Sequence, residues 1–560
     1  MKRKALLRAV AGVVAATTVL TACGANDKPA QTGGEVKPGG TVRLLNDSAT
    51  QQYDPAKSGS LVVTALGLVH RRLTSWKVAP GQDTTIIPDL ATDTGRPTEG
   101  GKTWTFTLKD NVKYSDGSPI KSQDIKWGLE RTYAAAFSGG LTYHKDLLSP
   151  GLAYKGPFEG GKELDSIETP DDKTIVFHLA RPYGDWNWIA STPAFSPVPK
   201  GKGQEADYGN HPVASGPYVL EKYERGKEAR LVRNPHWDRA TDDTRKANPD
   251  TIVFQLGQDT SVISKRLIED SGDDQSAFSI PFASPAQLAQ IQANPSAKSR
   301  VVTSESGALA YLTLNTQRGK LVDPKVRQAF QYAVDKAAYQ VASAGNAQLA
   351  GDIATTLITP GLQGREQFDL YPAPPSGDPE KAKKLLAEAG LPNGLDGLVL
   401  ATRNENSYPE KAAAIQAALA RANIKITIKA LDEDTYTSEV DTKGISDYDL
   451  TLTSWQPDIP SANANIQPLF QSTEIGNGGV NESRYDNPEV DRLITEAQAT
   501  LDPAEAGKKW AALDKKILSD SPVVPLIYTR NSFLHGSKFG NVVIGRFPAY
   551  PDYRQFGLIQ

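Results

Sequence analysis

Between residues 311 and 455 the sequence alternates short apolar runs with amphipathic stretches, and this constrains the fold more than any other feature. YLTLNT (311–316) reads as a strand, and DPKVRQAFQYAVDKAAYQVA (323–342) as one helix with Asp323 as N-cap and Pro324 at its first position. DPEKAKKLLAEAG (378–390) repeats that grammar and stops at Gly390. LVLATRN (398–404), YPEKAAAIQAALARAN (408–423), IKITIKA (424–430) and DYDLTLTSW (447–455) continue the rhythm. Parallel strands need long crossovers, so strand–helix alternation predicts an α/β unit with a partly parallel sheet. NPEVDRLITEAQATL (487–501) and a stretch over about 503–519 predict two more helices, and PVVPLIY (522–528) a return strand.

Upstream of about residue 300 the pattern differs. TVRLLND (41–47), KTWTFTL (102–108), TIVFHLA (174–180), GPYVLEKY and ARLVRN around Gly226, and TIVFQL (251–256) alternate with period two. They predict an antiparallel, β-rich region in which Trp104, Phe106 and Leu108 are structural. One helix stands out at SQDIKWGLERTY (122–133), with Ser122 as N-cap. Two unlike lobes with a late return strand predict a hinged molecule with a ligand cleft between them.

Composition narrows the function. The single cysteine, Cys23, excludes an intramolecular disulfide and cysteine-rich metal sites. The formal charge is −3, and removing the leader's four cations, Lys2, Arg3, Lys4 and Arg8, leaves −7, which argues against nucleic acid. No Gly-x-Ser-x-Gly elbow or His-Glu-x-x-His pair occurs, and the six histidines are never three or four apart. GPFEGGKE (156–163) has phosphate-loop spacing, but Glu163 stands where a hydroxyl is needed, so it reads as a surface turn. No catalytic residue, metal or cofactor is expected.

The first 22 residues read as a signal peptide: basic MKRKALLR, then uncharged AVAGVVAATTVLTA, short for a membrane-spanning helix. LTAC (20–23) resembles the lipobox of bacterial lipoproteins, which implies cleavage before Cys23 and its lipidation, with two or three acyl chains for stable anchoring. Gly- and Pro-rich residues 24–40 then read as a leash.

Several stretches, in order, resemble the oligopeptide- and dipeptide-binding family of ABC-importer substrate-binding lipoproteins (solute-binding protein family 5). They are YDPA (53–56), IIPDLATD (86–93), TWTFTLKDNVKYSDGSPIKSQDIKWGLER (103–131), ASGPYVL (214–220), LVRNPHW (231–237), LNT…DPKVRQAFQYAVDK (314–336), DPEKAKKLLAEAG (378–390), SW…D (454–458) and YDNPEVDRLITEA (485–497). The resemblance implies a two-lobed, hinged periplasmic-binding-protein-like α/β fold (class II, cluster C) with an extra β-rich segment. Lobe I would comprise 41–80, 195–300 and 505–560, the inserted β-rich domain 81–194, and the α/β lobe 301–504. It also implies a monomer, anchored at the extracytoplasmic membrane face, that delivers peptides to an ABC permease.

In peptide-binding members a Trp and, three residues on, an Asp that takes the peptide's α-ammonium lie after a sheet strand; Trp455 and Asp458 match. The bland alternative is a solvated loop acid beside a core tryptophan. Tyr436 and Asn406 fall in connections near the cleft as further contacts. Leu452 departs from the arginine that in some members holds a short peptide's carboxylate, which favours a longer or more apolar guest. An oligosaccharide or nickel-chelate binder of the same fold, or a surface-anchored hydrolase or adhesin, stay open as alternatives.

Overall fold

The computed structural model describes residues 35–158, 162–442, 447–476 and 478–559; the signal segment and Cys23 lie outside the described residues. The alternation after residue 300 builds a six-stranded sheet in the order Gly351–Ile353, Val523–Thr529, Leu309–Leu314, Leu450–Trp455, Leu395–Arg403, Ile424–Leu431. The last three run parallel, the final pair joined across helix Tyr408–Arg421, and the first three pair antiparallel. Leu312, Leu314, Leu400, Leu450, Leu452 and Val524 are fully buried, and each such side chain contributes about 1.5–3 kcal/mol of burial.

The Asp-Pro start at 378 works as read, and the Asn-Pro at 487 and Asp-Pro at 502 open helices in the same way. Asp378 accepts from the Lys381 amide (3.0 Å), Asn487 from Glu489 (3.1 Å) and Asp502 from Glu505 (2.8 Å). The helix expected over 323–342 is instead two, Pro324–Ala333 and Lys336–Ala344. The Tyr332 carbonyl accepts from the Asp378 amide (2.7 Å), which diverts it from the helix ladder. Val334 is extended, and Asp335 caps a fresh start by accepting from the Ala338 amide (2.8 Å).

Lobe I carries a five-stranded sheet in the order Ala277–Ser279, Thr41–Leu45, Thr251–Gln255, Glu228–Arg233, Tyr218–Glu224. It is mixed where an antiparallel sheet was expected: Thr41–Leu45 lies parallel to both neighbours, because they arrive from segments remote in sequence. Order also begins earlier than the leash at 24–40 implied. Val36–Lys37 pairs with Gly557–Ile559, Val36 opposite Ile559.

The inserted domain holds an antiparallel sheet of Arg96–Thr98, Thr103–Thr107, Thr174–His178 and Ile167–Glu168. Trp104 and Phe106 are buried in it, as read. Helix Ser122–Arg131 starts at Ser122 rather than being capped by it: the Ser122 hydroxyl donates to the Asp171 carbonyl (2.5 Å), and Asp124 accepts from the Lys121 amide (2.9 Å). In GPFEGGKE, where 159–161 lie outside the described residues, Glu163 pairs with Lys126 (2.9 Å) and Lys200 (2.7 Å).

Two buried ionic assemblies fix the insert to lobe I. Arg131 donates to both oxygens of Asp54 in YDPA (3.1 and 2.8 Å), and Asp89 accepts from Arg71 (2.8 Å) and Arg245 (2.9 Å). Toward the α/β lobe the chain crosses twice. Strand Val301–Thr303 pairs antiparallel with Ser532–Leu534, and the Ser304 amide donates to the Asn531 carbonyl (2.9 Å) beside it. The return to lobe I thus comes near 530, later than the expected 505, because helix Pro503–Asp520 packs on helix Pro488–Gln498 and Val523–Thr529 is a strand of the α/β sheet. Among the described residues no helix is long and apolar enough to cross a membrane.

Candidate functional site

Strands Leu395–Arg403, Ile424–Leu431 and Leu450–Trp455 end on one edge of the α/β sheet, the carboxyl edge where such sheets hold ligands. Asn406, Tyr436 and the Trp455–Asp458 loop follow those three ends in turn. The Trp455 indole N–H donates to the Ala464 carbonyl (2.7 Å), which fixes a half-buried ring. Asp458 is half-buried. Its Oδ2 accepts from the Tyr143 hydroxyl of the inserted domain (2.9 Å), so this contact spans the two bodies. Burial pushes the Asp458 carboxyl up to about 6 against the opposing Tyr143 hydrogen bond, and among the described residues no cation pairs with it. The loop acid is therefore not bathed in water.

Two further bonds join the insert to the segment after Asp458. The Asn463 amide donates to the Tyr183 hydroxyl (2.7 Å), and the Ser461 hydroxyl to Asp185 Oδ2 (2.5 Å). Between Trp455 and Asp458, both amide atoms of the Gln456 side chain are buried without a partner among the described residues. An unmet carboxamide costs free energy until something bonds it.

Tyr436 belongs to a neighbouring cluster. Its hydroxyl donates to Glu482 (2.9 Å), and the Arg403 guanidinium lies 4.0 Å from its ring centroid. Glu482 also accepts from Thr451 and is held above the usual carboxylate range by burial. Burial and Glu482 push Asp441 up to about 7. Tyr436 is fully buried with its hydroxyl engaged, whereas Asn406 is exposed in the left-handed region (φ +52°). The structure thus joins Trp455 and Asp458 on one loop and sets the other two apart.

Residues 85–477 match the model for bacterial extracellular solute-binding proteins, family 5. The chain belongs to that family. Family 5 proteins are extracytoplasmic substrate-binding proteins that work with ABC permeases, and this family 5 protein has their two-lobed α/β fold. It is 26% identical to the glutathione-binding protein GsiB of Salmonella paratyphi A over 435 residues, 77% of this chain and 78% of the relative. It superposes on a clavulanic acid biosynthesis oligopeptide binding protein 2 with TM-score 0.86 and 32% identity, covering 95% and 97% of the two chains. The DppA protein of Helicobacter pylori, in complex with the peptide STSA, gives TM-score 0.71 at 22% identity over 94% and 99%.

Tyr143 and Gln456 escaped the sequence reading of this family 5 chain. Tyr143 lies more than 300 positions from its partner Asp458, inside a Gly-rich turn with no periodic signal. Gln456 stands beside the motif, but nothing in its spacing distinguishes it from a surface glutamine.

Proposed function

We propose that the protein captures peptides bearing a free α-ammonium in the cleft between the α/β lobe and the lobe I–insert body. It delivers them to an ABC permease and performs no chemistry on them. Lipid on Cys23 holds it at the extracytoplasmic face of the membrane.

The observation that carries this reading is Asp458: a half-buried carboxylate, lifted by its surroundings, without a cation among the described residues, and touched from the opposite body by Tyr143. An incoming ammonium supplies the missing charge, and a desolvated, charge-assisted pair of this kind selects a free amine over a blocked one. Trp455 offers an apolar wall beside it, and the unmet Gln456 amide suits the donor and acceptor of a peptide bond. Support comes from relatives described as binding glutathione or peptides. The deciding experiment denatures protein purified from its native host and identifies the released ligand by mass spectrometry. Peptides with free amino termini are expected; a sugar or a metal chelate would overturn the reading.

A further inference from the structure

A cavity lies where the insert meets the α/β lobe, and neither Asp458, Trp455 nor Tyr143 lines it. Its volume is about 310 Å³, bounded from the insert by Trp104, Asp185 and Trp188 and from the α/β lobe by Gln363, Ser461 and Trp510. That is the size of a small-ligand pocket, about 300 Å³ or more.

The lining has a definite chemistry. Asp185 Oδ2 accepts from the Ser461 hydroxyl, and among the described residues no cation pairs with it. Three indoles share the cavity with this acid. Trp104 and Trp510 are almost wholly buried against the core, while Trp188 is half-buried. Aromatic faces attract cations, most strongly where water is excluded, and a carboxylate beside them adds the full opposite charge. An anion would meet Asp185 head-on, and a purely apolar guest would leave its carboxylate desolvated and unmatched.

We propose that this cavity binds a small organic cation, an alkylammonium or alkylguanidinium, with its head on Asp185 and its stem against the indoles. This site is separate from whatever the main cleft takes. Because the walls come from both bodies, the occupant favours the arrangement in which insert and α/β lobe touch.

The test is calorimetric titration of the purified protein with n-butylammonium and n-butylguanidinium, with n-butanol as the neutral control. With the main cleft's ammonium site removed by Asp458→Asn, saturable one-site binding of both cations below about 10 mM, with none of the alcohol, is expected. Asp185→Asn and Trp188→Ala, each added to that background, should weaken it by about tenfold or more. Circular dichroism and the melting temperature verify that each variant is folded, and Trp188→Ala serves if Asp185→Asn does not fold. Absence of saturable cation binding, equal binding of n-butanol, or loss in Asp458→Asn with retention in Asp185→Asn would overturn the proposal.

Discussion

Replacing Asp458 with Asn tests the amine site most directly. Burial lifts the Asp458 carboxyl from 3.8 to about 6; at 1.36 kcal/mol per unit, the empty site makes its ionisation about 3 kcal/mol less favourable than in water. For a raised acid the folded-state advantage is complete below the ordinary carboxylate value and is lost as pH rises through about 6. At neutral pH the empty cleft therefore holds an uncompensated negative charge, which an ammonium relieves. Truncating one partner of such a pair costs about 2–5 kcal/mol, so Kd for a free-amine peptide should rise roughly 30- to 4,000-fold. Calorimetry on wild type and Asp458→Asn, each with a free and an N-acetylated form of one peptide, isolates the charge. Near pH 5, below the raised value, wild-type binding should also release a proton, seen as a heat that varies with buffer ionisation enthalpy. An unchanged Kd in the folded variant, or the same loss with the acetylated peptide, would refute the reasoning.

Tyr143→Phe removes the donor that reaches Asp458 across the cleft; calorimetry should show peptide binding weakened by about 1 kcal/mol, and proton release extended to higher pH. Gln456→Ala deletes the unmet amide, so urea titration of the empty protein should show stability unchanged or raised while peptide affinity falls by about 1–3 kcal/mol. Asp89→Asn removes one of the two buried carboxylates that Arg71 and Arg245 share, leaving Asp242 alone with both, and should cost about 3 kcal/mol in urea unfolding. Against the opposing push of burial, Arg245 and Arg71 hold Asp89 below the usual carboxylate range, so its contribution is present at neutral pH and lost as pH falls through that lowered value. Cys23→Ser should move the protein from the membrane to the soluble fraction, with loss of labelled lipid on the chain.

Periodicity made most of the α/β lobe legible. Helices opening on Asp-Pro or Asn-Pro and strands such as Ile424–Leu431 carry their signals locally, in caps and alternation. What stayed hidden depends on remote partners. The break at Val334 comes from a carbonyl claimed by Asp378, the parallel neighbours of Thr41–Leu45 arrive from beyond residue 250, and the late return strand completes a sheet begun near 309. The same holds at the site. The spacing of Trp455 and Asp458 pointed to the loop, but Tyr143 acts through an inter-body contact that no local pattern encodes.

The pairing of Val36 with Ile559 has a practical consequence for anyone building an optical reporter from this molecule. Val36 and Ile559 lie side by side on one half of the molecule. Fluorophores fused at each end would keep a constant separation and give no energy-transfer signal as the jaws move. A responsive sensor needs one dye at an exposed turn of the opposite half, such as Gly390.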